Sequence, residues 1–273
     1  MSGKPQVVDN TDWLKSAAIV ATSAGHIGYF FMEDDYWWSV VGRFAAPILF
    51  FFAGYAQSRT IPLHWIWLGF FLTLLDSWNA DWNWVAGNVF FSFALIRLAR
   101  PYVEVLLQQY GWAAFALVVS ALVAALPIAS PVFDYGAEGW LWALLGLLHR
   151  MDVGSRSTTD VSGATRGSVP HAHASAMNVG PMCLLACIIA AVVYVWQEQK
   201  EFAFSQLQLA AVILGVGLLS LCFCFFRRGP SLVQPPEAIA GALRFVGRHT
   251  LEIYTIQLAG SELVKKLMPN LVP

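Results

Sequence analysis

Apolar residues run along this chain in blocks of about helix length, separated by short polar punctuation. A helix needs about 20 apolar residues to cross the hydrocarbon core of a bilayer. Nine runs approach that length: Trp13–Met32, Trp38–Gln57, Leu63–Trp78, Trp84–Ala99, Trp112–Ser130, Gly139–His149, Met177–Trp196, Leu207–Phe226 and Ile239–Leu258. The sixth is short, and reads as tilted, re-entrant or wrongly delimited. The ninth is interrupted by Arg244, Arg248, His249 and Glu252. The pattern predicts an all-α protein, a polytopic transmembrane helix bundle of about nine helices. Its organisation reads as a polar tail over 1–12, a first bundle over 13–150, a flexible polar linker over 151–176 and a second group of helices over 177–273. The linker, DVGSRSTTDVSGATRGSVPHAHASA, holds too few apolar residues to pack.

Charge orders these runs. One set of connections carries Glu33, Asp34, Asp35, Asp76, Asp81, Asp134 and Glu138; the other carries Arg59, Arg97, Arg100, Arg150, Arg156, Arg166, Arg227 and Arg228. Basic residues favour the cytoplasmic side, and Lys4 and Lys15 place the N-terminus there with the second set. An odd helix count puts the C-terminus opposite, where Lys265 and Lys266 run against the rule. Tyr36, Trp37, Trp38, Trp78, Trp82 and Trp84 crowd the acidic connections, as an interfacial aromatic belt does.

Composition agrees. The chain of 273 residues is 58% hydrophobic and 12% charged, against about 25% charged in soluble domains. A net charge of −1 argues against nucleic acid as a partner. Cys183, Cys187, Cys222 and Cys224 all lie in apolar runs and read as small buried hydrophobes. Cys183 and Cys187 share a helix face but have no adjoining histidine or second cysteine pair, and His171 and His173 stand alone in the linker, so no metal site is read.

The residues that invite chemistry are few. Lys15 and His26 lie eleven apart in the first run. On an α-helix that is three turns plus about 20° and a rise of about 16 Å, so both fall on one face. Ser16, Ala17, Ser23, Ala24, Gly25 and Gly28 flank them, small enough to admit another helix or a long thin ligand. Lys15 alone reads as a snorkelling anchor and His26 alone as a packing residue; the pair on one face favours function. Arg43 sits in the second run, close in depth to His26, and must find a carboxylate, a carbonyl or water. Pro47 should kink that helix and free a carbonyl. Arg97 and Arg100, in RLAR, share a face at the end of the fourth run. They suit phosphate groups, although any cytoplasmic helix end carries such residues. Arg248 and Glu252 stand at the spacing of an intrahelical ion pair.

Together these stretches resemble a known family. A basic residue, ten residues and a histidine in the first helix resemble the membrane acyltransferase-three family, which usually has Arg where this chain has Lys15. RLAR matches its Arg-x-x-Arg pattern, and RFAAPILFFFAGY resembles its second-helix stretch. LKSAAIVATSAGHIG followed by GRFAAPILFFFAGYAQSR also resembles the TraX branch of the transmembrane acyltransferase superfamily, and RHTLEIYTIQL resembles the terminal helix of both. The resemblance covers about the first hundred residues and the last helix. This chain departs from it at Gly25, where TraX-like chains carry Asp before the histidine, and at Gln257, near where the terminal helix often has His. Asp34, Asp35 and Asp76 are candidates to orient the imidazole instead.

The resemblance implies transfer of an acyl group, often acetyl, from cytoplasmic acyl-coenzyme A to an acceptor at the membrane or beyond it, in a bacterial inner membrane. On that expectation Lys15, Arg97 and Arg100 hold the phosphates and the pantetheine arm follows the small-residue face of the first helix. His26 is then the general base, and Arg43 stabilises the oxyanion or anchors the acceptor. The acceptor stays open between a sugar hydroxyl, a lipid headgroup and a pilin N-terminus. Two other classes remain: a non-catalytic accessory subunit of a larger membrane complex, and a proton-coupled transporter using His26, against which the lack of an inverted repeat counts.

Overall fold

The computed structural model describes residues 7–32, 35–58, 60–79, 87–162 and 179–268, and for 155–162 the backbone alone. Lys4, Glu33, Asp34, Arg59, Asp81, Trp82, Trp84, Arg166, His171 and His173 lie outside the described residues. Among the described residues the chain is all-helical, with eleven helices: α1 (Asn10–Phe31), α2 (Tyr36–Gly42), α3 (Ala45–Tyr55), α4 (Leu63–Asn79), α5 (Val89–Tyr110), α6 (Trp112–Ala129), α7 (Gly136–Ser162), α8 (Gly180–Phe202), α9 (Gln206–Cys224), α10 (Glu237–Arg248) and α11 (Thr250–Leu267).

Among the described residues, four helical stretches are long and apolar enough to cross a membrane: Tyr36–Tyr55, Trp112–Ala129, Gly180–Phe202 and Gln206–Cys224. Their outer faces are apolar as well. On α9, Leu207, Ile213, Leu214, Leu218 and Leu221 are all exposed. Exposed apolar surface of that extent marks a membrane or interaction face, and helices of this kind are compatible with a membrane protein. Nine crossings do not emerge as nine unbroken apolar helices, because several predicted runs are broken or extended.

The second run divides into α2 and α3 at Arg43 and Phe44. Pro47 explains the place. Its missing N–H would have bonded the carbonyl of residue 43, and by starting again at Ala45 the helix puts Pro47 in a first turn, where no such bond is needed. The ninth run breaks at His249, the residue between α10 and α11. Arg248 and Glu252 therefore fall on different helices rather than at i, i+4 of one. The fourth run continues as α5 through Pro101 to Tyr110, so Arg97 and Arg100 are mid-helix and not at a helix end. The sixth run is a full helix, α7, which enters the polar segment as far as Ser162; residues 163–176 lie outside the described residues.

The chain forms two compact units that are interleaved along the sequence rather than divided at the polar segment. The first comprises Met1–Leu49, Trp67–Ala86 and Val195–Pro273; the second comprises Phe50–Ile66 and Gly87–Tyr194.

In the first unit α1 is the hub, packed by α2, α10 and α11. Asp9 caps it by accepting from Thr11 N–H, and Asp12 reaches back to the Asp9 N–H in a capping box. The entry is tied down by backbone bonds to a later segment, Asn10 N to Gly229 O at 3.0 Å and Ser231 N to Val8 O at 2.9 Å. The crossing with α2 is made by glycines. A Cβ on Gly42 would lie 2.6 Å from Gly25 Cα, and one on Gly28 would meet Trp38 Cβ at the same 2.6 Å. In the second unit α5, α6 and α7 pack together, with the turn into α7 held by Ser130 Oγ donating to Glu138 at 2.9 Å. Arg150 of α7 pairs with Glu104 of α5 at 2.7 Å.

Candidate functional site

Within the first unit, His26 emerges from α1 between the two glycines that admit α2. Its ring lies 5.6 Å from the ring of Tyr254 on α11 and 6.2 Å from Phe30. Its Nδ1 is buried and has no hydrogen-bond partner among the described residues. Gly25, the residue before it, offers no carboxylate to orient the ring. Gly25 serves helix packing instead, since a Cβ there would lie 3.0 Å from Gly42 Cα. The position that could carry an orienting Asp is taken by helix contact.

One turn from His26 on the same helix, Ser23 accepts from Gln257 Nε2 at 2.7 Å and donates to Ile19 O at 2.8 Å. Gln257 thus ties α11 to α1 with its amide nitrogen, while its Oε1 is buried and without a partner among the described residues.

Arg43 sits at the break between α2 and α3, as the C-cap of α2. Its Nη1 pairs with Glu198 Oε2 at 3.0 Å and its Nε donates to Ser39 O at 3.3 Å. The guanidinium lies 4.4 Å over the ring of Phe202. The two side chains are 13% and 4% exposed, so this is a buried ion pair, of the sort that needs both partners present. Arg43 is within electrostatic reach of His26. Glu198 is the residue that sequence reasoning passed over. It belongs to WQEQKEF at the end of the seventh run, where a carboxylate reads as a solvated helix end. The signal was the requirement that Arg43 find a carboxylate.

Lys15 donates from Nζ to Gly247 O at 3.4 Å, and Ser16 Oγ donates to Leu243 O at 3.4 Å. The small residues of α1 therefore receive helices: α2 at Gly25 and Gly28, α10 at Ser16, α11 at Ser23. Of the two occupants expected for that face, the helix is the one observed.

Comparison with known proteins finds nothing similar. No family model matches the chain, and no curated protein or solved structure matches it either. The case for function rests on the residues.

Arg97 and Arg100 belong to the second unit and take different surroundings despite their shared helix. Arg97 donates to Thr60 O and stacks 4.0 Å over the ring of Trp65, a cation–π contact. Arg100 is 5% exposed and donates from Nη2 to Gln57 O at 3.1 Å. Both arginines thus hold carbonyls of the segment that follows α3.

Proposed function

We propose that the protein is an integral-membrane acyltransferase with His26 as its general base. The observation that carries the reading is the buried His26 Nδ1 without a hydrogen-bond partner among the described residues. A histidine kept only for packing would be expected to have a buried ring nitrogen bonded. An unbonded one is available to take a proton from an acceptor hydroxyl or amine. The resemblance of the first hundred residues to membrane acyltransferases supports the same reading, and supplies acyl-coenzyme A as the donor.

In this reading the acceptor oxygen or nitrogen bonds to the thioester carbonyl carbon as its proton passes to His26 Nδ1. The tetrahedral intermediate then collapses with cleavage of the carbon–sulfur bond, and the imidazolium returns the proton to the departing thiolate. Arg43, fixed by Glu198 and Ser39 O, supplies positive charge for the developing oxyanion. The reading places no pantetheine arm along the small face of α1, which helices fill, and it keeps Lys15, Arg97 and Arg100 as candidate phosphate contacts only. The full topology belongs to the proposal as well: nine membrane crossings, two of them broken at Arg43 and at His249, with the N-terminus in the cytoplasm of a bacterial cell.

One observation favours a second reading, a non-catalytic accessory subunit on the same scaffold. Lys15, Arg97 and Arg100 each already bond a backbone carbonyl, as structural residues do.

Release of coenzyme A thiol from acetyl-coenzyme A separates the two, measured on membranes holding the wild type, His26→Ala and His26→Gln. Acyl transfer requires release by the wild type and a loss of about 100-fold or more in both variants at unchanged helical content. Release at the wild-type rate in His26→Ala removes the general base, and no release by the wild type leaves the accessory reading.

A further inference from the structure

α10 is sharply amphipathic, and its residues divide into three faces. Ala240 and Gly247 are buried, and α1 meets this side at the Leu243 and Gly247 carbonyls. The second face is polar. It carries Glu237, Arg244 and Arg248, and Arg244 Nη2 donates to Glu237 Oε1 at 2.6 Å. The third face is apolar and exposed. Ala238, Ala242 and Phe245 stand at the i, i+4, i+7 spacing of a single stripe, with Ile239 beside them. Leu232 and Val233, just ahead of the helix, are exposed as well.

The contacts of α10 fix its depth. Val8 N–H donates to Gln234 Oε1 at 3.1 Å and Asn10 Nδ2 to Arg227 O at 3.0 Å, while Lys15 and Ser16 reach carbonyls of α10 itself. These residues lie at the polar start of α1, which reads NTDWLK and belongs at the edge of a bilayer rather than in its hydrocarbon. α10 is level with that edge. Its 12 residues span about 18 Å, too little to cross a core of about 30 Å. The charge here is basic. From Arg227 to Arg248 the chain carries four arginines and one carboxylate, Glu237, and Asp9 meets Arg228 at 3.6 Å.

We propose that α10 is an interfacial helix: it lies in the headgroup layer, with its apolar stripe at the acyl boundary and Arg227 and Arg248 on the phosphates of anionic phospholipids. The exposed stripe asks for an apolar medium, the depth places that medium at the bilayer edge, and the excess of arginine selects anionic headgroups. The break at His249 then acquires a purpose. Thr250 Oγ1 bonds Val246 O at 2.9 Å and Gly247 O at 3.1 Å, stitching a corner between a helix that lies along the surface and α11, to which the ninth crossing is left. The inference takes the chain to span a membrane and is independent of acyl transfer.

The test uses the full chain in nanodiscs, with the two exposed cysteines, Cys222 and Cys224, replaced by alanine. A nitroxide is attached in turn to Ala238→Cys, Ala242→Cys and Phe245→Cys, all at exposed positions, and the chain without an introduced cysteine supplies the background. Collision with oxygen, set against collision with a water-soluble nickel chelate, gives the depth of each label. All three should lie at one depth, about 5–10 Å into the headgroup and acyl boundary. A depth that changes by about 10 Å from Ala238→Cys to Phe245→Cys makes α10 part of a crossing and overturns the proposal. So do labels that meet only the nickel chelate, which lie in water, and labels shielded from both reagents, which are covered by protein. Lipid selectivity is read from a bimane on Phe245→Cys, quenched by phospholipid carrying a nitroxide at the top of its acyl chain. Labelled phosphatidylglycerol should be enriched about fivefold over labelled phosphatidylcholine, and Arg227→Gln with Arg248→Gln should remove the preference. Equal quenching by the two lipids before these changes, or a preference that survives them, overturns the proposal.

Discussion

Arg43 in the first unit and Arg100 in the second are both arginines largely withdrawn from solvent in apolar stretches, and the protein accommodates them differently. Arg43 stands at a helix break, where Glu198 reaches it and the Ser39 carbonyl is within range. Arg100 stands in an unbroken helix, where the carbonyl of Gln57 comes to it from a segment beyond the end of α3. The first arrangement brings a carboxylate from a helix far along the chain to the guanidinium, and the second ties the guanidinium to the backbone just beyond α3.

Mutations sharpen this contrast. The largest effect is expected from Glu198→Ala, which strands the Arg43 charge; loss of one partner of a buried pair costs about 3–5 kcal/mol. Thermal unfolding in detergent would show it, and Arg43→Met combined with Glu198→Leu should recover most of the loss. If Glu198→Ala unfolds like the wild type, the pair is not a stabilising one. Next in size is Gly42→Ala, whose methyl enters the α1 backbone at Gly25; overpacking of this kind costs about 1–3 kcal/mol. The matching change in the second unit, Gly54→Ala, meets the Ala143 carbonyl and should cost a similar amount. Loss of the Arg100 bond to the Gln57 carbonyl, in Arg100→Gln, is expected below these, at about 1–2 kcal/mol. A cost equal to that of Glu198→Ala would erase the contrast. The smallest is Gln257→Leu, which removes one neutral hydrogen bond to Ser23 for about 1 kcal/mol, read as a small drop in midpoint temperature.

What the sequence made legible follows the same division. Helices whose outer faces are uniformly apolar, such as α6 and α9, could be bounded to within a few residues, because hydropathy reports the face turned outward. The break at Arg43 was foreseeable from Pro47, a local backbone rule. The continuation of α5 beyond Arg100 was not: Arg97, Arg100, Glu104, Gln108 and Gln109 lower the hydropathy, although Arg97, Arg100 and Glu104 are held by Thr60, Gln57 and Arg150. α7 was underestimated for a like reason, since polar residues follow His149. At the candidate site, His26 and Arg43 were visible as costly residues in apolar runs, while Glu198 was hidden because it is about 155 residues from Arg43 in the chain, and long-range pairing has no signature in one sequence. The small residues of α1 were correctly seen as permitting close approach, but their type alone does not say what approaches.

The hub position of α1 has a consequence for biosynthesis. α10 and α11, which receive Lys15, Ser16 and Ser23, follow those residues by 227 to 234 positions in the chain, whereas α2 follows α1 directly. During translation the glycine crossing of α1 with α2 can therefore close early, while the contacts at Lys15, Ser16 and Ser23 wait until Leu243, Gly247 and Gln257 have been made. A chain that stops before Leu243 keeps the first half of the α1 packing and none of the second.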